Sequence, residues 1–179
     1  MHKDLEKILV SESEIKEIVE RLAAEIDRDY QDKDWLMVGV LKGSVLFMAD
    51  LMKAMKNDFK IDFVVVSSYA DGTESTGRVN VLKDISQSIV GKDLLIVEDI
   101  IDSGNTLSFL VKYFMAKGAN SVKMVTLFDK PDRRKVEVPV EYVGKVIPDA
   151  FIVGYGLDYA EKYRTLPYVG ILKPEVYSK

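Results

Sequence analysis

Apolar residues along this chain fall into two alternating rhythms. Ile15, Ile18, Val19, Leu22, Ala23 and Ile26 recur at helical spacing and predict an amphipathic helix over roughly 12–29. Ser11-Glu12-Ser13-Glu14 precedes it with the spacing of a capping box. The runs "WLMVGVL" (35–41), "IDFVVVSSY" (61–69), "DLLIVED" (93–99) and "SVKMVTLF" (121–128) are continuously apolar and read as buried strands. Between them, 45–55 and 107–117 read as helices, the second stopped by Gly118. A shorter strand is expected at 79–84, with further strands at 142–147, 151–154 and 168–172. The polar, glycine-containing stretch "ADGTESTGR" (70–78) reads as an exposed loop.

Continuously apolar strands alternating with helices predict an α/β fold whose mostly parallel, twisted sheet is covered on both faces. The less regular segments 73–92 and 142–172 are expected to add antiparallel strands. In such sheets ligands bind beyond the carboxyl ends of the strands. Three unusual loops leave those ends, at 42–44, 99–106 and 129–139.

Composition narrows the chemistry. A chain of 179 residues with 47% hydrophobic and 30% charged residues is expected to form one domain, 1–179, with a sizeable core. There is no cysteine, and the only histidine is His2, which argues against thiolate chemistry, a Ser-His-Asp triad and a His-rich zinc site. The formal net charge of −4 disfavours a general nucleic-acid binder. No apolar run approaches the roughly 18 residues of a membrane span, and the first residues lack the core of a signal peptide. A cytoplasmic protein, with no membrane or nucleic-acid partner, is the expectation.

The stretch "LLIVEDIIDSGNTLSFL" (94–110) concentrates the candidate chemistry. Small residues from Asp102 to Thr106 lead into a helix, where backbone N–H groups and the helix N-terminus favour an oxyanion, and Ser103 and Thr106 add hydroxyls. It is not a P-loop, because the spacing differs and no lysine follows the glycine. Carboxylates beside a phosphate cradle make sense if they bind sugar hydroxyls, hold Mg²⁺ or act as a base. Any one of these aspartates alone would serve equally well as a helix cap at a solvated strand end. Glu98 and Asp99, being adjacent, would face opposite ways on a continuing strand, so both can serve one ligand only where the strand ends.

"VEDIIDSGNT" resembles the diphosphate-ribose signature of the type I phosphoribosyltransferases. With "VGVLKGSVLFMADL", "SSYADGTESTGRV", "LFDKPDRR" and "IPDAFIVGYGLDYAEKYRTLPYVGIL", the chain is similar to the bacterial hypoxanthine (hypoxanthine-guanine) phosphoribosyltransferases from about residue 36 to 172. The resemblance implies a small hood subdomain, a mobile lid loop and an assembly of two or four copies. It also implies Mg²⁺-dependent transfer of the phosphoribosyl group of 5-phosphoribosyl 1-diphosphate (PRPP) to a 6-oxopurine, hypoxanthine and guanine, in purine salvage.

The same resemblance distributes the roles. Glu98 and Asp99 would contact the ribose hydroxyls and Mg²⁺, and Asp102 would act as general base near purine N7. Asp102, Ser103, Gly104, Asn105 and Thr106 would cradle the 5-phosphate, Leu41-Lys42-Gly43 the diphosphate. Asn105 occupies a position that varies within the signature, and Ser44 stands where a second glycine is common. Lys130 would meet the 6-oxo group, since an ammonium has donors and no acceptor and pairs poorly with a 6-amino group. Outside the resemblance it reads as a surface lysine, and Phe151 reads as core. Within it, Phe151 would stack on the purine, the Ile152 backbone would read its edge, and Asp158, beside the purine, would hold a second Mg²⁺. Arg164 would grip the diphosphate, and Ser68 and Tyr69 would head a lid reaching to about Arg78. Other outcomes for this pattern are a PRPP-sensing regulator that binds nucleic acid and a phosphotransfer receiver domain; no helix-turn-helix and no lone acceptor aspartate speaks for either.

Overall fold

The computed structural model describes residues 1–71 and 74–178, the side chains of 68–71 and 74–78 excepted. In chain order the elements are β1 (Leu5–Val10), α1 (Glu12–Asp29), β2 (Trp35–Leu41), α2 (Val45–Ala54), β3 (Lys60–Asp71), β4 (Glu74–Lys83) and β5 (Asp93–Ile101). There follow α3 (Asn105–Ala116), β6 (Ser121–Asp129), a 3₁₀ turn (Pro131–Arg133), β7 (Tyr142–Val146), β8 (Ile152–Val153), β9 (Val169–Leu172) and α4 (Pro174–Tyr177).

Six strands form the main sheet in the order β4-β3-β2-β5-β6-β7, parallel throughout except at the β3–β4 pair. Its strands alternate their apolar side chains between two cores. Trp35, Met37, Leu95 and Val97 face a core completed by α1 and α2, while Leu36, Val38, Leu94 and Ile96 face one completed by α3. This explains why the sequence of β2 and β5 is apolar without alternation. The stripe expected on α1 is buried in full, and Ser11 Oγ accepts the Glu14 N–H at 3.2 Å. Glu14 gives its carboxylate to Lys145.

Two expectations need correction. Residues 70–78 are not a free loop: β3 runs on to Asp71 and β4 begins at Glu74, with Ala70 opposite Ser75. Backbone pairing in a hairpin needs no apolar side chain, so a polar composition hid the ladder. The lid expectation therefore falls on a β-hairpin, whose Gly72 and Thr73 lie outside the described residues; nor are the Ser68 and Tyr69 side chains described. The second concerns 142–172. β7 joins the main sheet parallel to β6, because the stretch 130–141 crosses back before the strand begins. Only β8 and β9 are antiparallel, and they lie with β1 in a separate three-stranded sheet, β1-β9-β8. β1, which the periodicity did not single out, pairs Leu5 with Leu172 across almost the whole chain.

Candidate active site

The carboxyl ends of β2, β5 and β6 place three turns side by side. At the end of β2, the Leu41–Lys42 peptide is cis. Gly43 follows, and a Cβ there would lie 1.8 Å from Asp99 Oδ2, so only glycine lets the β2 turn approach the end of β5 this closely. A loop from the small sheet closes the third side: a Cβ at Gly156 would lie 2.1 Å from the Gly43 carbonyl oxygen.

β5 carries the acidic pair. Asp99 is buried, its Oδ1 accepting the Ile100 N–H at 3.0 Å. Glu98 is half-buried, but its Oε2 is fully enclosed and lacks a hydrogen-bond partner among the described residues. Burial, reinforced by the neighbouring Asp99 charge, pushes the Glu98 carboxyl well above the usual carboxylate range. Burial raises Asp99 as well, against the Ile100 amide and the Arg164 charge. Two adjacent carboxyls buried at a strand end, hydrogen-bonded to each other and both shifted upward, mark a candidate functional site.

Beyond them the chain turns through Asp102–Gly104 into α3. Gly104 has φ +81° and is the residue before the helix, with no side-chain cap. Ser103 Oγ accepts the Asn105 N–H at 3.3 Å, and the Ser103 carbonyl accepts the Lys135 and Val136 N–H groups at 3.0 and 3.1 Å. The turn is thereby tied to the loop after β6, and α3 presents the N–H groups that a first helical turn leaves without intrahelical partners. Asp102 is half-exposed at this mouth. Its Oδ1 lies 3.6 Å from Nζ of Lys130, which hydrogen-bonds through its own N–H to the Ile101 carbonyl at 3.0 Å. Lys130 is only 6% exposed, so it is no surface lysine.

The loop from the small sheet supplies the remaining charges. Arg164 donates from Nη1 to the Gly156 carbonyl at 2.7 Å and forms an ion pair through Nη2 with Asp158 Oδ1 at 2.9 Å, while its buried Nε has no partner among the described residues. Glu161 Oε2 accepts from Lys42 Nζ at 3.1 Å and from Arg164 at 3.4 Å. The Lys42 ammonium holds the Glu161 carboxyl below its ordinary range. The structure thus joins Lys42, Gly43, Asp99, Asp158 and Arg164 in one group and Asp102 with Lys130 in another. Phe151, contrary to the reading as core, is 39% exposed. Ile152 lies on β8, the edge of the small sheet, so one side of its backbone is unpaired in that sheet.

Residue-by-residue reading missed Glu161 and Arg134. Arg134 pairs with Asp129 and donates to the Asp102 carbonyl at 3.3 Å. Charge alternation in "DYAEKYR" was the only signal available for Glu161. Its contact with Lys42 spans 119 residues and has no local signature. A cavity of about 980 Å³ between α1, α2 and residues 165–167 contains none of the expected site residues.

A parallel sheet ending in an acidic pair, followed by a small-residue turn at a helix N-terminus, is an arrangement suited to a phosphorylated ligand. The Phosphoribosyl transferase domain model matches residues 7–160, and the chain belongs to that family. Within it the chain groups with the hypoxanthine-guanine phosphoribosyltransferases, which are glycosyltransferases. It is 54% identical over 179 residues to that enzyme of Staphylococcus epidermidis, each covered in full. The crystal structure of a hypoxanthine phosphoribosyltransferase from Staphylococcus aureus superposes with a TM-score of 0.96 at 52% identity, covering 100% of this chain and 97% of that one. The bifunctional protein TilS/HprT of Listeria monocytogenes is 52% identical over 179 residues, and the chain spans 28% of its length. No helix among the described residues is long and apolar enough to cross a membrane.

Proposed function

We propose that residues 1–179 act as one phosphoribosyltransferase domain that transfers the 5-phosphoribosyl group of PRPP to hypoxanthine and guanine, releasing diphosphate. The products are IMP and GMP, and the role is cytoplasmic purine salvage by a homodimer or homotetramer, with neither nucleic acid nor membrane as partner. The observation that carries the reading is the buried Lys130 ammonium beside half-exposed Asp102 at the mouth of the helix-α3 cradle. A donor-only group and a proton acceptor then lie together where a 6-oxopurine presents O6 and N7.

In this reading the turn 102–106 holds the 5-phosphate, and Lys42 and Arg164 hold the diphosphate. Arg164 suits that task because its planar fork matches phosphate oxygens. Phe151 stacks on the base and the free edge of β8 at Ile152 reads its rim. N9 forms the bond to the anomeric carbon as the bond to diphosphate breaks, and Asp102 takes the N7 proton. Carboxylates on the ribose side favour the positive charge that develops there. The enclosed, unpartnered Glu98 Oε2 fits a divalent cation. Glu98 and Asp99 would hold Mg²⁺, with Asp158 for a second ion. A hard cation such as Mg²⁺ takes few carboxylates and keeps water and substrate oxygens as its other ligands. When bound, Mg²⁺ would neutralise the charge of the diphosphate. The β3–β4 hairpin, with Ser68 and Tyr69 at its root, would act as the lid that keeps water from the ribosyl centre.

The test is product formation from PRPP with hypoxanthine, guanine or adenine, with and without a chelator. IMP and GMP should form only with Mg²⁺, and adenine should react poorly. Equal turnover of adenine would refute the purine assignment.

A further inference from the structure

The platform proposed for the purine is itself braced by a second ring. Tyr177, on the four-residue helix α4, stacks on Phe151 with centroids 4.8 Å apart and planes at 20°. Tyr159, next to Asp158, meets the Phe151 ring edge-on at 5.5 Å and 88°. Phe151 nonetheless keeps 39% of its surface exposed, whereas its successors Ile152 and Val153 are buried. One face of the ring is therefore stacked on Tyr177, Tyr159 stands perpendicular to it, and part of the ring stays open.

The position of α4 is not accidental. The Leu172 N–H donates to the Phe151 carbonyl at 2.8 Å, and the Lys173 N–H donates to the Asp4 carbonyl at 3.0 Å, so β9 is tied on both sides just before the helix begins. Pro174 opens α4 at the position where proline suits a helix, and Val176 and Tyr177 pack on the cluster of Leu5, Val153 and Leu172. The same strand pair thus carries Phe151 and the ring that backs it. A stacking side chain fixed in plane before the ligand arrives loses less rotamer freedom on binding, and offset stacking is itself favourable.

We propose that Tyr177 is a positioning residue of the purine site: its ring backs Phe151 and fixes the plane on which a 6-oxopurine base stacks. The proposal rests on the reading of Phe151 as that platform. It deepens the reading by adding a side chain outside the stretch 36–172 that carries the family motifs.

Three variants decide it by steady-state kinetics, with the folded fraction checked by thermal melting. Tyr177→Ala should raise the KM for hypoxanthine roughly two- to tenfold, the value of fixing one side chain, while the KM for PRPP moves less. Tyr177→Phe, which keeps the ring, should restore the KM for hypoxanthine. A merely structural role would shift both KM values or the active fraction together. Phe151→Ala serves as the reference. If it raises the purine KM and Tyr177→Ala leaves it unchanged or lowers it, the inference on Tyr177 is wrong and the platform stands. If Phe151→Ala itself leaves the purine KM unchanged, the platform reading and the inference both fall.

Discussion

Two enclosed carboxylate sites on the main sheet are built in opposite ways. Asp62, near the start of β3, is saturated: Oδ1 accepts from the Phe63 N–H at 2.7 Å and Lys83 Nζ at 3.1 Å, and Oδ2 from the Ser86 N–H at 2.8 Å and hydroxyl at 2.7 Å. Burial opposes its charge, but the Ser86 hydroxyl, the two amides and Lys83 together hold its pKa at about 2. Glu98 and Asp99, near the end of β5, are enclosed: the Ile100 amide donates to Asp99 Oδ1, the two carboxyls hydrogen-bond each other, and Glu98 Oε2 meets no donor among the described residues. The first arrangement stabilises the fold. The second is relieved when Glu98 takes up a proton or when a cation arrives, and it lies at the end of the sheet where the connecting loops meet.

The two sites should therefore respond oppositely to loss of charge, and a third carboxylate should affect only the chemistry. Asp102→Asn keeps the shape of the turn but removes the proton acceptor. Its single-turnover rate should fall by roughly 10²-fold or more, with PRPP binding and melting temperature little changed. An unaltered rate would leave Asp102 as a cap for α3.

Next in size, Asp62→Ala should cost about 2–3 kcal/mol in urea unfolding, since two amides, a hydroxyl and an ammonium lose their acceptor. Turnover per folded molecule should stay the same. Loss of activity without loss of stability would erase the contrast between the two sites.

The pH dependence sharpens it further. Asp62 has a folded pKa below the ordinary aspartate value of 3.8, so its contribution is complete above that value and fades as the pH falls toward 2. Glu98 has a raised folded pKa, so its contribution is complete below the ordinary carboxylate range and is lost as the pH rises through the raised value. Glu98→Gln should accordingly raise the melting temperature of the ligand-free protein at pH 8. The gain should vanish toward pH 4. The same variant should lose Mg²⁺-dependent PRPP binding. A melting temperature that falls at pH 8 would mean that Glu98 is satisfied in the free protein.

The smallest effect belongs to an exposed pair. Glu161 accepts from both Lys42 and Arg164, the two cations assigned to diphosphate. Glu161→Gln should tighten the binding of inorganic diphosphate by no more than about fivefold, because exposed ion pairs contribute little and salt screens them. Weaker binding in titration calorimetry would make Glu161 a helper of the site and not a competitor.

Local pattern carried much of this architecture. Helix α1 begins and ends where its stripe and capping serine place it, and β2, β5 and β6 match their apolar runs to within two residues. The turn into α3 was legible because Asp102–Thr106 is contiguous and made of small and polar residues that precede an apolar run. The hairpin at 70–78 was not, because its order comes from main-chain pairing and not from side-chain type. Phe151 could not be told from core by composition, since exposure is a property of what packs around a ring.

The sequence by itself determined the period of α1 and of the apolar strands β2, β5 and β6, the sheet's two-sided burial and the acidic turn, because each depends on residues a few positions apart. Tertiary structure alone decided that Leu5 meets Leu172, that Glu161 bridges Lys42 and Arg164, that Tyr177 backs Phe151 and that Glu98 Oε2 meets no donor among the described residues. Those contacts form only when distant segments are brought together against the entropy of closing long loops. Their energy comes from burial that no local stretch contains.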